Sequence, residues 1–404
     1  MVVVKVCFVT SNYPPEARGG TEQVTVALAR ELGARGVEVV VVSGSDQPHD
    51  GCDVRVERHE GTIVHRVFKT AEEWAEKAFV QARVLRLVGD LLARERPDVV
   101  HVHSCAVLGC GVTPWCRERG VPAVMTFHDQ WVTCPLFFRL PQGGVACPVD
   151  DDRAPCVVCT ADALAADTGF TARAIAERDR LVRAEVAAAS ACTAPSRTAA
   201  DLVRRCLPYD GRIEVVPHGL VRKVAAADRA PEPVAGERLR IGTFGGLVAE
   251  KGVRELLAAA APLDCELHLS GRLHGGGLAE ELAARAAAGL CYRYHGPYGP
   301  EDPHPARNLH LAVFPSKCQE TYGLVVDEAL AHGVPVVCSD RGALGERRHA
   351  PGVCVTPLEA LPETLADLIG SPQRLAALRA AIPAELPTIA SSADRHLALY
   401  RSLV

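Results

Sequence analysis

The sequence predicts an α/β protein of two doubly wound, parallel-sheet domains in tandem. Three observations carry that prediction. At 404 residues the chain exceeds what one hydrophobic core organises and suits two domains of ordinary size. Short Val-rich runs alternate with Ala/Leu/Arg-rich segments of helical period along the whole length. A polar, Ala/Pro-rich stretch from Val224 to Arg238 interrupts that alternation near the middle and reads as a linker.

The elements follow in order. Val2 to Val9 is an apolar run interrupted by Lys5 alone, as expected of a first buried strand. Thr21 to Gly36 has helical period and ends in a glycine stop, and Val37 to Ser43 is the next strand. Strand, glycine-containing loop, helix and strand make a right-handed βαβ unit. Strands at Val99 to His103, Ala123 to Phe127, Ala191 to Ala194 and Ile213 to Val216 complete the first domain. A second set begins after the linker: Leu239 to Phe244, Glu266 to Ser270, Tyr292 to His295, Leu311 to Phe314 and Val334 to Cys338. Leu386 to Val404 is a final helical stretch. Tandem sheets of this type predict a ligand cleft at the strand C-termini.

Composition removes several classes. Apolar residues at 48% and charged residues at 23% exclude a disordered chain. A net charge of −5 with no basic block argues against a nucleic-acid surface. No run of 18 apolar residues predicts a spanning helix, and the N-terminus reads as a strand rather than a leader, so the expected compartment is cytoplasmic. Most of the 16 cysteines, Cys7, Cys192, Cys265 and Cys338 among them, sit singly in apolar strands, where they act as small hydrophobes.

The most informative segment runs from Phe314 to Val337. A strand end is followed by a polar loop and a helix opening near Gly323. Glu320 lies in the loop and Glu328 about two turns into the helix, with seven residues between them. Amides of Gly323, Leu324 and Val325 at a helix N-terminus form a phosphate seat. A phosphate seat flanked by two accepting carboxylates suits a ligand with an anionic middle and hydroxyl-rich ends, as in a nucleotide-sugar.

This segment resembles the signature of family 4-type retaining glycosyltransferases (glycosyltransferases group 1), which have the GT-B fold of two facing Rossmann-like domains. That family carries Glu-x7-Glu followed by Glu-Ala-Leu-Ala-x-Gly-x-Pro-Val, here Glu328 to Val336. The resemblance implies that Glu320 contacts donor-sugar hydroxyls, that Tyr322 belongs to the donor signature, and that Glu328 holds the ribose. It also implies an acceptor-side domain over 1–222, a linker over 223–238, a nucleotide-sugar domain over 239–385, and a C-terminal helix over 386–404 that crosses back to the first domain.

Further motifs fall in register with this resemblance. Gly245, Gly246 and Lys251 follow a strand and precede a helix, where glycines admit close backbone approach and Lys251 supplies a charge to a diphosphate. The family usually has Arg where this chain has Gly246, so either Lys251 serves with the helix N-terminus alone or another arginine, such as Arg272, substitutes. In the first loop, Pro14-Pro15-Glu16-Ala17-Arg18-Gly19-Gly20 resembles the family's first loop, with Gly19 and Gly20 offering amides to the diphosphate or sugar. A simple helix-starting turn explains that glycine pair equally well. His101, His103, His128 and His218 fall at strand ends and are expected to face the cleft. Phe127-His128-Asp129 resembles the family's histidine beside the donor sugar, which assigns His128 to positioning or charge stabilisation. His218 stands where the family often has Asn.

After His128 come Cys134, Cys147, Cys156 and Cys159, spaced C-x12-C-x8-C-x2-C in an expected loop over about 130–162. Four thiolates ending in C-x-x-C fit a structural zinc site, with an iron–sulfur cluster or free thiols as alternatives. No cationic neighbour in sequence marks any of them as a nucleophile.

The combined expectation is a retaining transferase that moves a sugar from a nucleotide diphosphate, UDP by family frequency, to a soluble small-molecule or glycan acceptor. Its catalytic set is His128, Glu320 and Lys251, with no cofactor required for the chemistry. Asp150 to Asp152 suit a cationic acceptor such as an amino sugar or a natural-product intermediate. A sugar-nucleotide epimerase of the same fold and a non-catalytic nucleotide-sugar-binding protein are the alternatives.

Overall fold

The computed structural model describes residues 4–404 except 17–18, 77–78, 142–143, 145–146, 148–149, 208, 235 and 275–276. The start of the first expected strand, Ala17 and Arg18 of the first loop, and Pro148 therefore lie outside the described residues. The chain divides into two compact units. The first comprises Met1–Phe137, Pro148–Val221 and Thr388–Val404, and the second Phe138–Cys147 and Arg222–Pro387.

In the first unit the strands are β1 (Lys5–Thr10), β2 (Glu38–Gly44), β3 (Val54–His59), β4 (Thr62–Val67), β5 (Val99–Val102), β6 (Ala123–Thr126), β7 (Ala191–Ala194) and β8 (Ile213–Val215). They form one sheet in the order β3-β4-β2-β1-β5-β6-β7-β8, parallel apart from the β3–β4 pair. The β3–β4 hairpin is absent from the sequence expectations. Val54-Arg55-Val56-Glu57-Arg58-His59 is a largely polar edge strand, so no apolar run marks it. Glu60 and Gly61 make its turn, both at positive φ (46° and 82°), which fits the right-handed strand twist.

The helix Ile389–Arg401 packs in this unit. Ile389 N–H donates to the Leu220 carbonyl at 3.0 Å, and Arg35 Nε pairs with Asp394 Oδ1 at 2.6 Å. Its inner face buries Ala393, His396 and Tyr400.

The second unit has β9 (Leu239–Phe244), β10 (Cys265–Ser270), β11 (Tyr292–Gly296), β12 (Leu311–Phe314), β13 (Val336–Ser339) and β14 (Val353–Thr356). All pairs are parallel, in the order β11-β10-β9-β12-β13-β14. All residues of β12 and β13, and β9 from Ile241 to Phe244, are buried, which suits a sheet covered on both faces. The expected linker does not run free: Ala230 is buried and its N–H donates to the His332 carbonyl at 2.8 Å, so the stretch packs on the second unit.

Candidate active site

The order of the second sheet places its topological switch point between β9 and β12, whose following connections leave in opposite directions. Phe244 and Phe314 end these two strands, and their rings meet edge to face at 5.1 Å. Two loops therefore emerge side by side, Gly245 to Lys251 and Pro315 to Gly323.

Backbone contacts sew these loops together. Gly252 has φ +74°, and a Cβ there would collide with the Pro315 carbonyl oxygen, so only glycine allows the approach. The amides of Lys317 and Cys318 both donate to the Glu250 carbonyl, at 2.9 and 3.3 Å. As a result Lys251 Nζ lies 2.5 Å from Glu320 Oε1, which also accepts from Ser316 Oγ at 2.8 Å. Burial disfavours the Lys251 ammonium, but the Glu320 carboxylate outweighs it and the pKa is raised, so the group stays cationic. Burial, with Glu320 adding, pushes the neighbouring Cys318 thiol up to about 11.

Gly323 takes a left-handed conformation (φ +84°) and caps the helix Leu324–Ala331. The first turn closes with Val326 N–H on the Gly323 carbonyl, so the Leu324 and Val325 amides precede the ladder and carry the helix's partial positive charge. Tyr322 is braced within the same turn: its hydroxyl donates to Asp327 Oδ2 at 2.7 Å, and Arg347 both bonds Asp327 Oδ1 and lies 5.0 Å over the Tyr322 ring. Glu328 is half-buried, with Oε2 3.6 Å from His304 Nε2. The seven-residue spacing thus brings Glu320 to the cation and Glu328 to an aromatic wall.

Gly245 has φ +105° and donates its N–H to the Ser270 carbonyl. Nothing lies within 4 Å of where a Cβ on Gly246 would sit. Leu247 N–H donates to the Arg272 carbonyl at 3.3 Å, which puts the exposed Arg272 on the strand edge beside Gly246.

In the first unit the corresponding switch point lies between β1 and β5. The loop after β1 is anchored by Arg66, fully buried, which donates to the carbonyls of Tyr13 and Pro14 and pairs with Glu16 and Glu57. Gly19 caps the helix Gly20–Ala34 in extended conformation (φ −73°). The Glu22 carboxylate turns back to accept from the amides of Gly19 and of its own residue, and burial raises its pKa. The amides expected to face a diphosphate are thus partly engaged by Glu22, a capping arrangement in the first turn.

His101, His103, His128 and His218, expected at strand ends facing the cleft, are all buried. They join His396 in a stacked cluster, with His103 Nδ1 2.8 Å from His128 Nε2 and His128 Nδ1 3.3 Å from His218 Nε2. His101 bridges Tyr400 Oη at 2.5 Å and Thr126 Oγ1 at 2.6 Å. Burial, reinforced by the neighbouring imidazoles, holds the pKa of His128 well below its ordinary value. His128 is therefore favoured as a neutral ring, with its tautomer coupled to His103 and His218.

The cysteine segment also departs from expectation. Cys156 and Cys159 lie on a helix, Ala154–Leu164, rather than in a loop. Arg153 fixes it by pairing with Asp179 Oδ2 at 2.7 Å and donating to the Thr133 carbonyl at 3.0 Å. Cationic neighbours do exist in space: the Arg153 guanidinium feels Cys156, and that of Arg178 feels Cys134. Among the described residues, no group of three or more His, Cys, Asp or Glu side chains is arranged to hold a metal ion, Cys134, Cys147, Cys156 and Cys159 included.

Sequence reasoning missed His304 and His332, the Asp327–Arg347 brace and the Arg66 anchor. A histidine in Pro303-His304-Pro305, or a single arginine near the end of the strand Thr62–Val67, has no local pattern to announce it.

Residues 18–222 match the profile of Glycosyltransferase Family 4, and residues 238–371 that of Glycosyl transferases group 1. A D-inositol 3-phosphate glycosyltransferase of Catenulispora acidiphila is 29% identical, covering 96% of this chain and 91% of the relative. The 2-deoxystreptamine N-acetyl-D-glucosaminyltransferase of Streptomyces fradiae is 30% identical, covering 86% and 80%. The crystal structure of Anabaena Alr3699/HepE, solved with UDP and glucose, superposes with a TM-score of 0.67 at 16% identity, covering 99% of this chain and 100% of that one. The two parallel-sheet Rossmann-like units have the GT-B fold, and the family matches and relatives make the chain a nucleotide-sugar-dependent glycosyltransferase. The chain belongs to glycosyltransferase family 4. Among the described residues no helix is long and apolar enough to cross a membrane.

Proposed function

We propose that this glycosyltransferase moves a sugar, with retention, from a UDP-sugar to a soluble cyclitol or amino-sugar acceptor. The observation that carries the donor half is the convergence, at one switch point, of the Lys251–Glu320 pair with the open amides of Leu324 and Val325. Lys251 and these amides are assigned to the diphosphate, Glu320 to the sugar hydroxyls and Glu328 to the ribose. Gly245 and Gly246 let the backbone approach the ligand.

In the reaction, the acceptor oxygen attacks the anomeric carbon while the bond from that carbon to the diphosphate oxygen breaks. The departing phosphate oxygen takes the acceptor's hydroxyl proton on the same face. Positive charge grows on the sugar and negative charge on the leaving oxygen, where Lys251 and the helix amides stabilise it electrostatically. His128, neutral and locked in its hydrogen-bonded row, is assigned to positioning the transferred sugar.

The UDP assignment is supported by the UDP in the HepE complex. The acceptor class is supported by the two relatives, a D-inositol 3-phosphate glycosyltransferase and a 2-deoxystreptamine N-acetyl-D-glucosaminyltransferase, whose named acceptors are both six-membered carbocyclic polyols. The test is thermal unfolding with UDP, GDP, ADP and dTDP, alongside Glu328→Ala. A ligand at about a hundred times its Kd should stabilise the native state by about 2.7 kcal/mol. A shift with UDP that the variant loses supports the donor; a shift with GDP alone replaces UDP, and none with any nucleotide removes the reading. Product anomer analysis with inositol phosphate and 2-deoxystreptamine as acceptors then tests retention and acceptor class.

A further inference from the structure

His304 holds a hydrogen-bond donor in reserve beside the nucleotide site. It caps the short turn Pro305–Asn308, with Nδ1 accepting the Ala306 N–H at 3.3 Å. That bond assigns the tautomer: because Nδ1 accepts, the neutral ring carries its proton on Nε2. Nε2 is buried and has no hydrogen-bond partner among the described residues. Glu328 Oε2 is 3.6 Å away, beyond a direct hydrogen bond.

The ring is not free to swing toward another partner. It stacks on His332 with centroids 4.4 Å apart and planes 14° apart, and it meets the edges of Phe244 at 4.8 Å and Tyr298 at 5.7 Å. His332 is itself fixed through Nδ1 to the Glu328 carbonyl at 2.7 Å. A buried donor without a partner is costly unless a ligand completes it.

Here a fixed N–H donor and a carboxylate acceptor stand side by side, slightly too far apart to satisfy each other. Two adjacent hydroxyls match that pair, one donating to Glu328 and its neighbour accepting from His304 Nε2–H. We propose that His304 is a specificity-determining residue, reading the ribose diol together with Glu328 and so rejecting deoxyribose donors. The proposal rests on the reading of Glu328 as the ribose ligand. Sites built to bond a hydroxyl reject analogues that lack it, because the buried partner is left unpaired.

Isothermal titration tests this with UDP, GDP and ADP, followed by the 2′-deoxy and 3′-deoxy forms of the nucleotide that binds. Wild type is expected to prefer the ribose form over at least one deoxy form by about tenfold or more. His304→Leu should bring that ratio close to one, while His304→Gln, which keeps an N–H donor, should retain most of it. If the leucine variant melts early, His304→Phe preserves the ring stack and carries the same readout. A wild-type ratio in the leucine or phenylalanine variant overturns the role of His304. If Glu328→Gln then loses discrimination, the ribose reading of Glu328 survives alone. Absence of nucleotide binding overturns both, and full discrimination in Glu328→Leu overturns the ribose reading of Glu328.

Discussion

Lys251 Nζ and Glu320 Oε1 lie 2.5 Å apart, joining the two groups that the family resemblance assigns to different parts of the donor. On the proposed donor assignment, the cation for the diphosphate is held by the carboxylate for the sugar hydroxyls. On that assignment, binding of an intact nucleotide-sugar redistributes this pair: the diphosphate competes for Lys251, and the sugar hydroxyls replace Lys251 as donors to Glu320.

This competition predicts opposite effects on binding and turnover. Glu320→Gln releases the ammonium, so UDP alone should bind about three- to tenfold more tightly, within the range of one charge-assisted bond. Turnover with the sugar donor should fall about 100-fold, the scale of losing one preorganised electrostatic contact. Calorimetry and steady-state rates check both; unchanged UDP affinity would show that the pair does not compete with the ligand.

The vacant space at Gly246 gives a gain-of-binding test. Its φ is not left-handed and no atom crowds the Cβ position, so Gly246→Arg should fold and tighten nucleotide binding by about tenfold. Arg272, on the adjoining strand edge, should weaken binding by a similar factor when changed to alanine. If Arg272→Ala is neutral while Gly246→Arg is strengthening, Lys251 and the helix amides serve alone.

Acid should unfold the first unit through its histidines. Burial depresses His218 to about 3 and His396 to about 4, while the unfolded chain titrates at about 6.5. Between those values the unfolded state binds more protons, so stability rises with pH and is fully present above about 6.5. As pH falls below that point, each such histidine removes up to about 1.4 kcal/mol per pH unit until its folded pKa is reached. Melting temperature should therefore be flat from pH 7 to 8 and drop steeply toward pH 4. His218→Asn should blunt the slope; an unaltered profile would place the acid sensitivity elsewhere.

The four-cysteine spacing still proposes a structural zinc, and metal analysis of the purified chain decides it. About one equivalent of zinc, lost with Cys156→Ser and Cys159→Ser, is the expected result for a four-thiolate site. No zinc, with all four thiols reactive, would leave Arg153 and Arg178 as the forces that hold this segment.

Both sheets were legible because parallel strands covered on two faces must be continuous apolar runs, and Leu239–Phe244 and Leu311–Phe314 fall where the runs fall. The β3–β4 hairpin was not, since β3 is a largely polar edge strand and β4 interrupts its apolar residues with His65 and Arg66, and the four-residue β14 was missed with it. Glu320, Glu328 and Lys251 could be named from the family resemblance, because its motifs fall on the loops after predicted strand ends and on the helix that follows. His304 could not, because its meaning comes from Ala306, His332 and Glu328 around it rather than from its neighbours in sequence.

The sequence by itself determined the two-sheet architecture, the family and the chemical types at the donor site, since apolar period and motif spacing are local properties of the chain. Tertiary structure decided which charges meet and which are silenced. Only packing brings Lys251 onto Glu320 and sinks His128 into a neutral histidine row. Burial, distance and competing partners set the state of an ionisable group, and each of these is a property of neighbours that folding brings in from far along the chain.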